Sequence, residues 1–285
     1  MSSAVFTVQN LQCKYPGSQH PVLEIDHFSI FRGELVFFLG VSGVGKSTMI
    51  ESLGLMNRTI VPTPNAQLTF HGPKGDESLF DLWEHQPEKL AQFRSEQYSF
   101  IFQNSNLFEK LSLAANAIMP SLANSQDISA LELEAKELAT KLLQNVSADD
   151  YRLKNAGSIS GGQKQRLAFI QAMISPHEVL FGDEPTGNLD WGNAKKVMKT
   201  LRQHIKDNQK TGLVVSHDVP LSVAFADRIV LLTAKETTKN EVKTGVILPE
   251  NIFTRDGEQW VSSDRRLDNL EMTAFLKSHF EQNAS

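Results

Sequence analysis

The segment Leu35-Val36-Phe37-Phe38-Leu39 is apolar at every position. A half-exposed strand alternates with period two, so an unbroken run of this length predicts a strand covered on both faces. It is also the longest uninterrupted apolar run in the chain, far short of the roughly 20 residues that a membrane-spanning helix needs. Upstream, β-formers from Val5 to Cys13 and from Val22 to Phe31 flank the turn residues Tyr15-Pro16-Gly17 and predict two earlier strands. Downstream, Ser47 to Met56 is small and apolar with no proline, which predicts a helix. Strand, glycine-rich loop and helix therefore follow one another. Short apolar runs recur at Val179–Phe181, Leu213–Val215 and Ile229–Leu232, with a helical pattern over Ala194–Ile205 between the first two, the βαβ alternation of an α/β protein.

Residues 57–82 are punctuated by Pro62, Pro64, Gly72, Pro73 and Gly75, which predicts a loop and a hairpin. Ser129-Ala130-Leu131-Glu132 has the form of a capping box, and Leu131, Ala135, Leu138, Leu142 and Val146 recur behind it at helical spacing. Beyond Pro249 the composition turns polar, and Leu267, Leu270, Ala274 and Phe275 form a last helical stripe behind Ser262-Ser263-Asp264. A C-terminal appendage with a short helix is expected over residues 251–285.

Composition narrows the class. Apolar residues make up 40% and charged residues 21% of the 285, which excludes collagen-like and wholly disordered chains. The formal charge of −5 gives no electrostatic pull toward nucleic acid, and no nucleic-acid partner is expected. A single cysteine, Cys13, fits a reducing compartment, and the opening residues lack the basic start and apolar core of a signal peptide. The expected location is the cytosol.

Gly40-Val41-Ser42-Gly43-Val44-Gly45-Lys46-Ser47-Thr48 completes the phosphate-loop pattern of glycine, four residues and Gly-Lys-Ser. Glycines let backbone amides wrap phosphate oxygens, Lys46 would reach the β- and γ-phosphates, and the Ser47 hydroxyl would ligate Mg²⁺. The apolar strand Val179–Phe181 runs through Gly182 into Asp183-Glu184. In a nucleotide-binding sheet such strand ends face the ligand; Asp183 is placed to hold Mg²⁺ and Glu184 to orient or deprotonate the attacking water. Ser160-Gly161-Gly162-Gln163 opens another helix, with an anion-receptive N-terminus. The seven histidines other than His217 lack ligand spacing and read as structural or exposed.

Together the phosphate loop, Ser-Gly-Gly-Gln some 20 residues before Asp-Glu, and a later histidine resemble the ATP-binding cassette (ABC) ATPases over roughly residues 4–250. The resemblance implies a P-loop NTPase ABC ATPase fold: a RecA-like core, an antiparallel β-subdomain and a helical subdomain at about 104–164, within a domain spanning 1–250. It implies that Gln103 contacts Mg²⁺ and the attacking water, that His217 contacts the γ-phosphate, that Tyr15 stacks on adenine, and that Asp190 lies in a loop crossing a dimer interface. ATP would then sit between Lys46 of one copy and Ser160 of a second ABC subunit, most simply an identical chain. Asp183–Asp190 and Ala115–Pro120 look like the branch of lipoprotein-releasing, macrolide-exporting and cell-division ATPases, which act with an integral-membrane permease from the inner face of the cell membrane. Ile159, Gln171 and Gly182 depart from the family pattern, the hairpin near 233–246 is longer than usual, and the region around 57–90 matches no typical connection. The competing readings are a soluble ABC ATPase acting on ribosome or DNA, which usually needs two cassettes or long coiled-coil arms, and a regulatory module without turnover.

Overall fold

The computed structural model describes residues 3–125, 127–144, 146–236 and 243–282. Its first strands, β1 (Ala4–Cys13) and β2 (Leu23–Phe31), form an antiparallel pair, and β3 (Leu35–Leu39) leads through the glycine-rich loop into α1 (Lys46–Leu53). Next come β4 (Ile60–Val61), β5 (Gln67–Gly72) and β6 (Gly75–Ser78), then α2 (Leu79–His85), α3 (Pro87–Gln97) and β7 (Tyr98–Ile101). The helical stretch follows as α4 (Leu113–Ile118), α5 (Ile128–Leu142), α6 (Ala148–Leu153) and α7 (Gly161–Ile174). The chain then alternates through β8 (Val179–Asp183), α8 (Trp191–Asp207), β9 (Thr211–Val215), α9 (Val219–Phe225) and β10 (Arg228–Glu236). It closes with β11 (Lys243–Asp256), β12 (Gln259–Val261), β13 (Arg266–Asp268) and α10 (Asn269–Gln282).

One sheet holds the described strands, its main path running β6-β5-β1-β2-β11-β10-β3-β9-β8-β7, with β4 pairing β1 and β12 pairing β11 and β13 off it. From β10 to β7 each neighbouring pair is parallel, whereas β6-β5-β1-β2 is antiparallel, and β11 joins the halves. The unbroken apolar run now has its explanation. Leu35, Phe37 and Leu39 enter one core and Val36 and Phe38 the other, all fully buried. Leu180 and Val214 follow the first group, and Val179, Phe181, Leu213 and Val215 the second. Each parallel strand is covered on both faces, which brings the loops after β3, β7, β8 and β9 out at one end of the sheet.

Several expectations change. The hairpin falls at β5–β6, but Leu79–Leu82 is helical, because Ser78 caps α2 by accepting from the Asp81 amide. Helix α5 is capped by Asp127 rather than by Ser129, the Asp127 carboxylate accepting the Ala130 amide at 3.0 Å, and it ends at Leu142, short of Val146. A capping box does form between Ser160 and Gln163 at the head of α7, and Asp268 and Glu271 cap α10 in the same reciprocal way. The expected boundary at residue 250 falls inside β11, and beyond it Phe253, Trp260, Met272 and Leu276 are fully buried in the first core. Trp260 Nε1 donates to Asn269 Oδ1 at 3.0 Å and the Arg255 guanidinium lies over its ring. Of the long hairpin, residues 237–242 lie outside the described residues. Among those described, no helix is long and apolar enough to cross a membrane.

Two histidines pack as a pair: the rings of His177 and His204 stack with centroids 5.4 Å apart. Burial pushes both down to about 4, opposed at His177 chiefly by its hydrogen bond to the Ser175 carbonyl and at His204 by Asp207, while nearby Lys210 pushes both down. Between about pH 6.5 and 4 the unfolded chain therefore binds more protons than the folded one, so their stability contribution is complete above 6.5 and is lost as pH falls toward 4. Each ring should steepen the loss by up to about 1.4 kcal/mol per pH unit. Urea unfolding at pH 7, 6 and 5 should show this slope, and His204→Leu should reduce it; a slope unchanged by that substitution would assign the acid sensitivity elsewhere.

Candidate functional site

The loop leaving β3 turns on glycines. Gly43 and Gly45 have φ of 80° and 95°, the left-handed region that side chains disfavour. Gly40 is constrained by space as well: a Cβ there would lie 2.7 Å from the Leu232 carbonyl oxygen and 2.9 Å from Val44 Cγ1. Lys46 folds back over the loop, its Nζ donating to the carbonyls of Gly40 and Val41, each at 2.8 Å. Burial lowers its pKa, while Glu184 and Asp183 work against that shift by favouring the charged form. A cation thus stands above a loop of backbone amides at the start of α1, an arrangement for holding an anion of high charge.

Opposite it, the end of β8 presents the acids. Ser47 Oγ donates to Asp183 Oδ1 at 3.3 Å, and burial raises the Asp183 pKa. Glu184 adopts φ 45°, uncommon for a residue with a side chain, and its amide donates to the Val215 carbonyl at 3.0 Å, tying the end of β8 to β9. In this conformation Glu184 Oε1 lies 3.3 Å from Nδ1 of His217, which follows β9. Tyr15, exposed beside the loop, exchanges a 3.0 Å hydrogen bond with the Thr48 hydroxyl. Lys46, Ser47, Asp183, Glu184 and His217 therefore converge at one end of the sheet, as the parallel strand ends require.

Gln103 is exposed just past β7, and its carbonyl accepts from Asn188 Nδ2 at 3.3 Å. Asp190 caps α8, accepting from the Asn193 amide and side chain, which lower its pKa. Ser160 and Gln163 satisfy each other in their capping box, and among the described residues no hydrogen bond or ion pair joins them to the phosphate loop. Their neighbours are the Asn188–Asp190 turn: Gly162 faces the Asn188 carbonyl, and Arg166 feels the Asp190 charge. The sequence-predicted residues thus form two groups within one chain.

One connecting residue escaped the sequence reading. Gln165 is buried in α7, and its Nε2 donates to the carbonyls of Phe102 at 3.2 Å and Pro185 at 2.7 Å, bracing the segment before Gln103 against the turn after Glu184. No local pattern in the sequence marks it, because both of its partners lie far along the chain. Two departures from the family pattern also find local reasons. Gln171 Nε2 donates to the Asn116 carbonyl at 2.8 Å, joining α7 to α4, and a Cβ on Gly182 would approach Pro185 Cγ to 3.1 Å. For Ile159, buried before Ser160, nothing in the structure explains the choice over leucine.

The donor set suits Mg²⁺. Ser47 Oγ and Asp183 Oδ1 are hard oxygen donors brought together at the edge of the phosphate loop, and Mg²⁺ is ordinarily held by one or two such groups plus substrate phosphates and water.

A P-loop sheet with these strand-end residues defines a nucleotide-binding protein. Residues 23–187 match the family model described as ABC transporter. The chain is 34% identical over 230 residues to the macrolide export ATP-binding/permease protein MacB of Salmonella typhimurium, covering 80% of this chain and 33% of that protein. It is 31% identical over 241 residues to the ABC transporter ATP-binding protein YxdL of Bacillus subtilis, covering 84% of this chain and 86% of the relative. The phosphonates import ATP-binding protein PhnC of Treponema denticola is 29% identical over 257 residues, with coverage of 88% and 95%. The chain spans about a third of the length of the MacB relatives it matches. Among solved structures, the dimeric bacterial ABC transporter cassette MJ0796 superposes with a TM-score of 0.65 at 24% identity, covering 79% of this chain and 93% of that one, which shows the fold. The chain belongs to the ABC transporter family.

Proposed function

We propose that two copies of this chain enclose two ATP molecules, and that their closure drives an integral-membrane permease from the cytoplasmic face of the membrane. The observation that carries this reading is the separation of the site residues into two groups: Lys46 with Ser47, Asp183, Glu184 and His217 in one, and Ser160–Gln163 with Asp190 in the other. A single copy offers two half-sites, and head-to-tail pairing completes both.

Lys46 exchanges the carbonyls of Gly40 and Val41 for β- and γ-phosphate oxygens, the amides of residues 41–48 surround the phosphates, and Tyr15 lies against adenine. Ser47, Asp183 and Gln103 would hold Mg²⁺, which would supply neutralisation of phosphate charge. Glu184 orients the attacking water and takes its proton, while His217 steadies the Glu184 carboxylate and reaches the γ-phosphate. The second copy contributes the Ser160 hydroxyl and the amides of Gly161, Gly162 and Gln163 at the head of α7, with Asp190 nearby.

The permease would dock on the segment following Gln103. Leu107 packs against the core, whereas the Phe108 side chain is exposed. Its backbone is held by Asn116, which accepts from the Phe108 amide at 2.8 Å and donates to the carbonyls of Phe108, Leu111 and Ser112. An aromatic side chain offered to solvent on a braced loop is suited to anchoring a partner helix. Phe108→Ala should shift the melting temperature by no more than about 2 °C, since an exposed side chain contributes little to folding. Co-purification with the permease should weaken by roughly 30-fold, the equivalent of about 2 kcal/mol for an aromatic anchor. A large fall in melting temperature with complex formation intact would place the docking surface elsewhere.

A further inference from the structure

Three strands form a floor beneath the phosphate loop. Gly40 lies against the Leu232 carbonyl of β10, and a Cβ on Gly45 would lie 3.2 Å from the Val22 carbonyl oxygen next to β2 and 3.6 Å from Leu23. The third contact comes from Gly245 in β11, about 200 residues beyond the loop. A Cβ built there would fall on the Val44 carbonyl oxygen, 3.1 Å from the carbonyl carbon and 3.4 Å from Leu23 Cδ1. Gly245 is not among the positive-φ glycines, so space and not backbone conformation demands its lack of a side chain. The strand cannot easily retreat. The Gly245 amide donates to the Val22 carbonyl at 2.9 Å, the buried Thr244 hydroxyl donates to the Pro21 carbonyl at 2.9 Å, and Gly245 pairs with Leu23 on one side and Ala234 on the other.

The Val44 carbonyl and the Gly45 amide belong to one peptide unit. In a planar trans peptide the C=O and N–H point in opposite directions, so a carbonyl seated on β11 aims the Gly45 amide away from β11. Resting on the reading that this loop holds phosphate, we infer that Gly245 is a positioning residue for nucleotide binding: its bare backbone sets the tilt of the Val44–Gly45 peptide and with it the amide offered to phosphate. A methyl group at 245 would have to tilt that peptide or part β11 from β2. Either change moves the loop and leaves Lys46, Asp183 and Glu184 chemically intact.

Gly245→Ala should weaken ATP binding at least tenfold in titration calorimetry and raise KM for ATP by a larger factor than it lowers kcat. Gly212→Ala is the control for a merely structural loss: its Cβ would strike Ile205 Cδ1 and lie 2.6 Å from Leu35 Cδ1, core contacts away from the loop. That variant should melt lower and keep its ATP affinity within about twofold. If Gly245→Ala also stays within twofold while Lys46→Ala loses binding, the inference about Gly245 is overturned and the phosphate-loop reading stands. If Lys46→Ala binds normally, the reading itself fails. Should Gly245→Ala not fold, hydrogen exchange on the parent decides: ATP should slow exchange across 243–246 together with 40–46. Protection confined to 40–46 would count against the coupling.

Discussion

Glu184→Gln is expected to bind ATP with near-parent affinity and to lose at least 100-fold in turnover, about 2.7 kcal/mol of transition-state stabilisation. The amide has the size of the carboxylate, so the φ of 45° and the amide bond to the Val215 carbonyl should survive the change. What disappears is the negative charge facing His217 and the capacity to accept a proton from water. Binding and chemistry thus separate at this side chain. If head-to-tail closure requires ATP and reopening requires hydrolysis, as proposed, the variant should collect as an ATP-bound pair, seen as a doubling of mass in sedimentation on adding ATP. Turnover within about threefold of the parent, with the permease present, would remove Glu184 from the role of base. A mass that stays monomeric with saturating ATP would remove the head-to-tail pairing.

The architecture was legible where one physical cause acted alone. At Leu35–Leu39 burial on both faces leaves no polar position, and the run reads directly as an interior strand. The phosphate loop and Asp183-Glu184 were legible for a related reason, since few other demands select those residue types at strand ends. Where two causes compete, the reading slips. Pro249 has no amide to donate and reads as a break, yet β11 passes through it because the pairing with β10 shifts register between Val230 and Leu232, across from this segment. Ser129 and Glu132 had the form of a cap, but Asp127 lies two residues earlier and offers a carboxylate. Leu79–Leu82 fell within the stretch read as a loop and a hairpin, and the Ser78 cap makes it helix. Gln165 and Gly245 were invisible for a different reason. Their importance lies in contacts with Phe102, Pro185 and Val44, residues 20 to about 200 positions away, and no local pattern records such contacts.

Lys46→Ala should raise the ATP dissociation constant by roughly 100-fold or more, with binding failing before chemistry is reached. The ammonium is poised rather than idle: it sits between two carbonyls of its own loop, and burial makes its charge costly in the absence of an anion. Phosphate oxygens are stronger partners than carbonyls, and a charge-assisted hydrogen bond contributes roughly 1.5–3 kcal/mol, which corresponds to one to two orders of magnitude per bond. Backbone amides cannot replace it, because they carry only partial charge and are already committed to the phosphates. The free protein should lose little. Gly40 and Val41 carbonyls left without Nζ sit at the mouth of the loop where water replaces it, so the melting temperature without ATP should fall by only a few degrees. The parent's upward shift in melting temperature on adding ATP should vanish in the variant. Lys46→Arg discriminates further, since a planar fork restores charge without the compact reach of an ammonium and should recover only part of the affinity. Calorimetry showing an unchanged dissociation constant for Lys46→Ala would take the lysine out of the site and with it the assignment of the loop as the phosphate cradle.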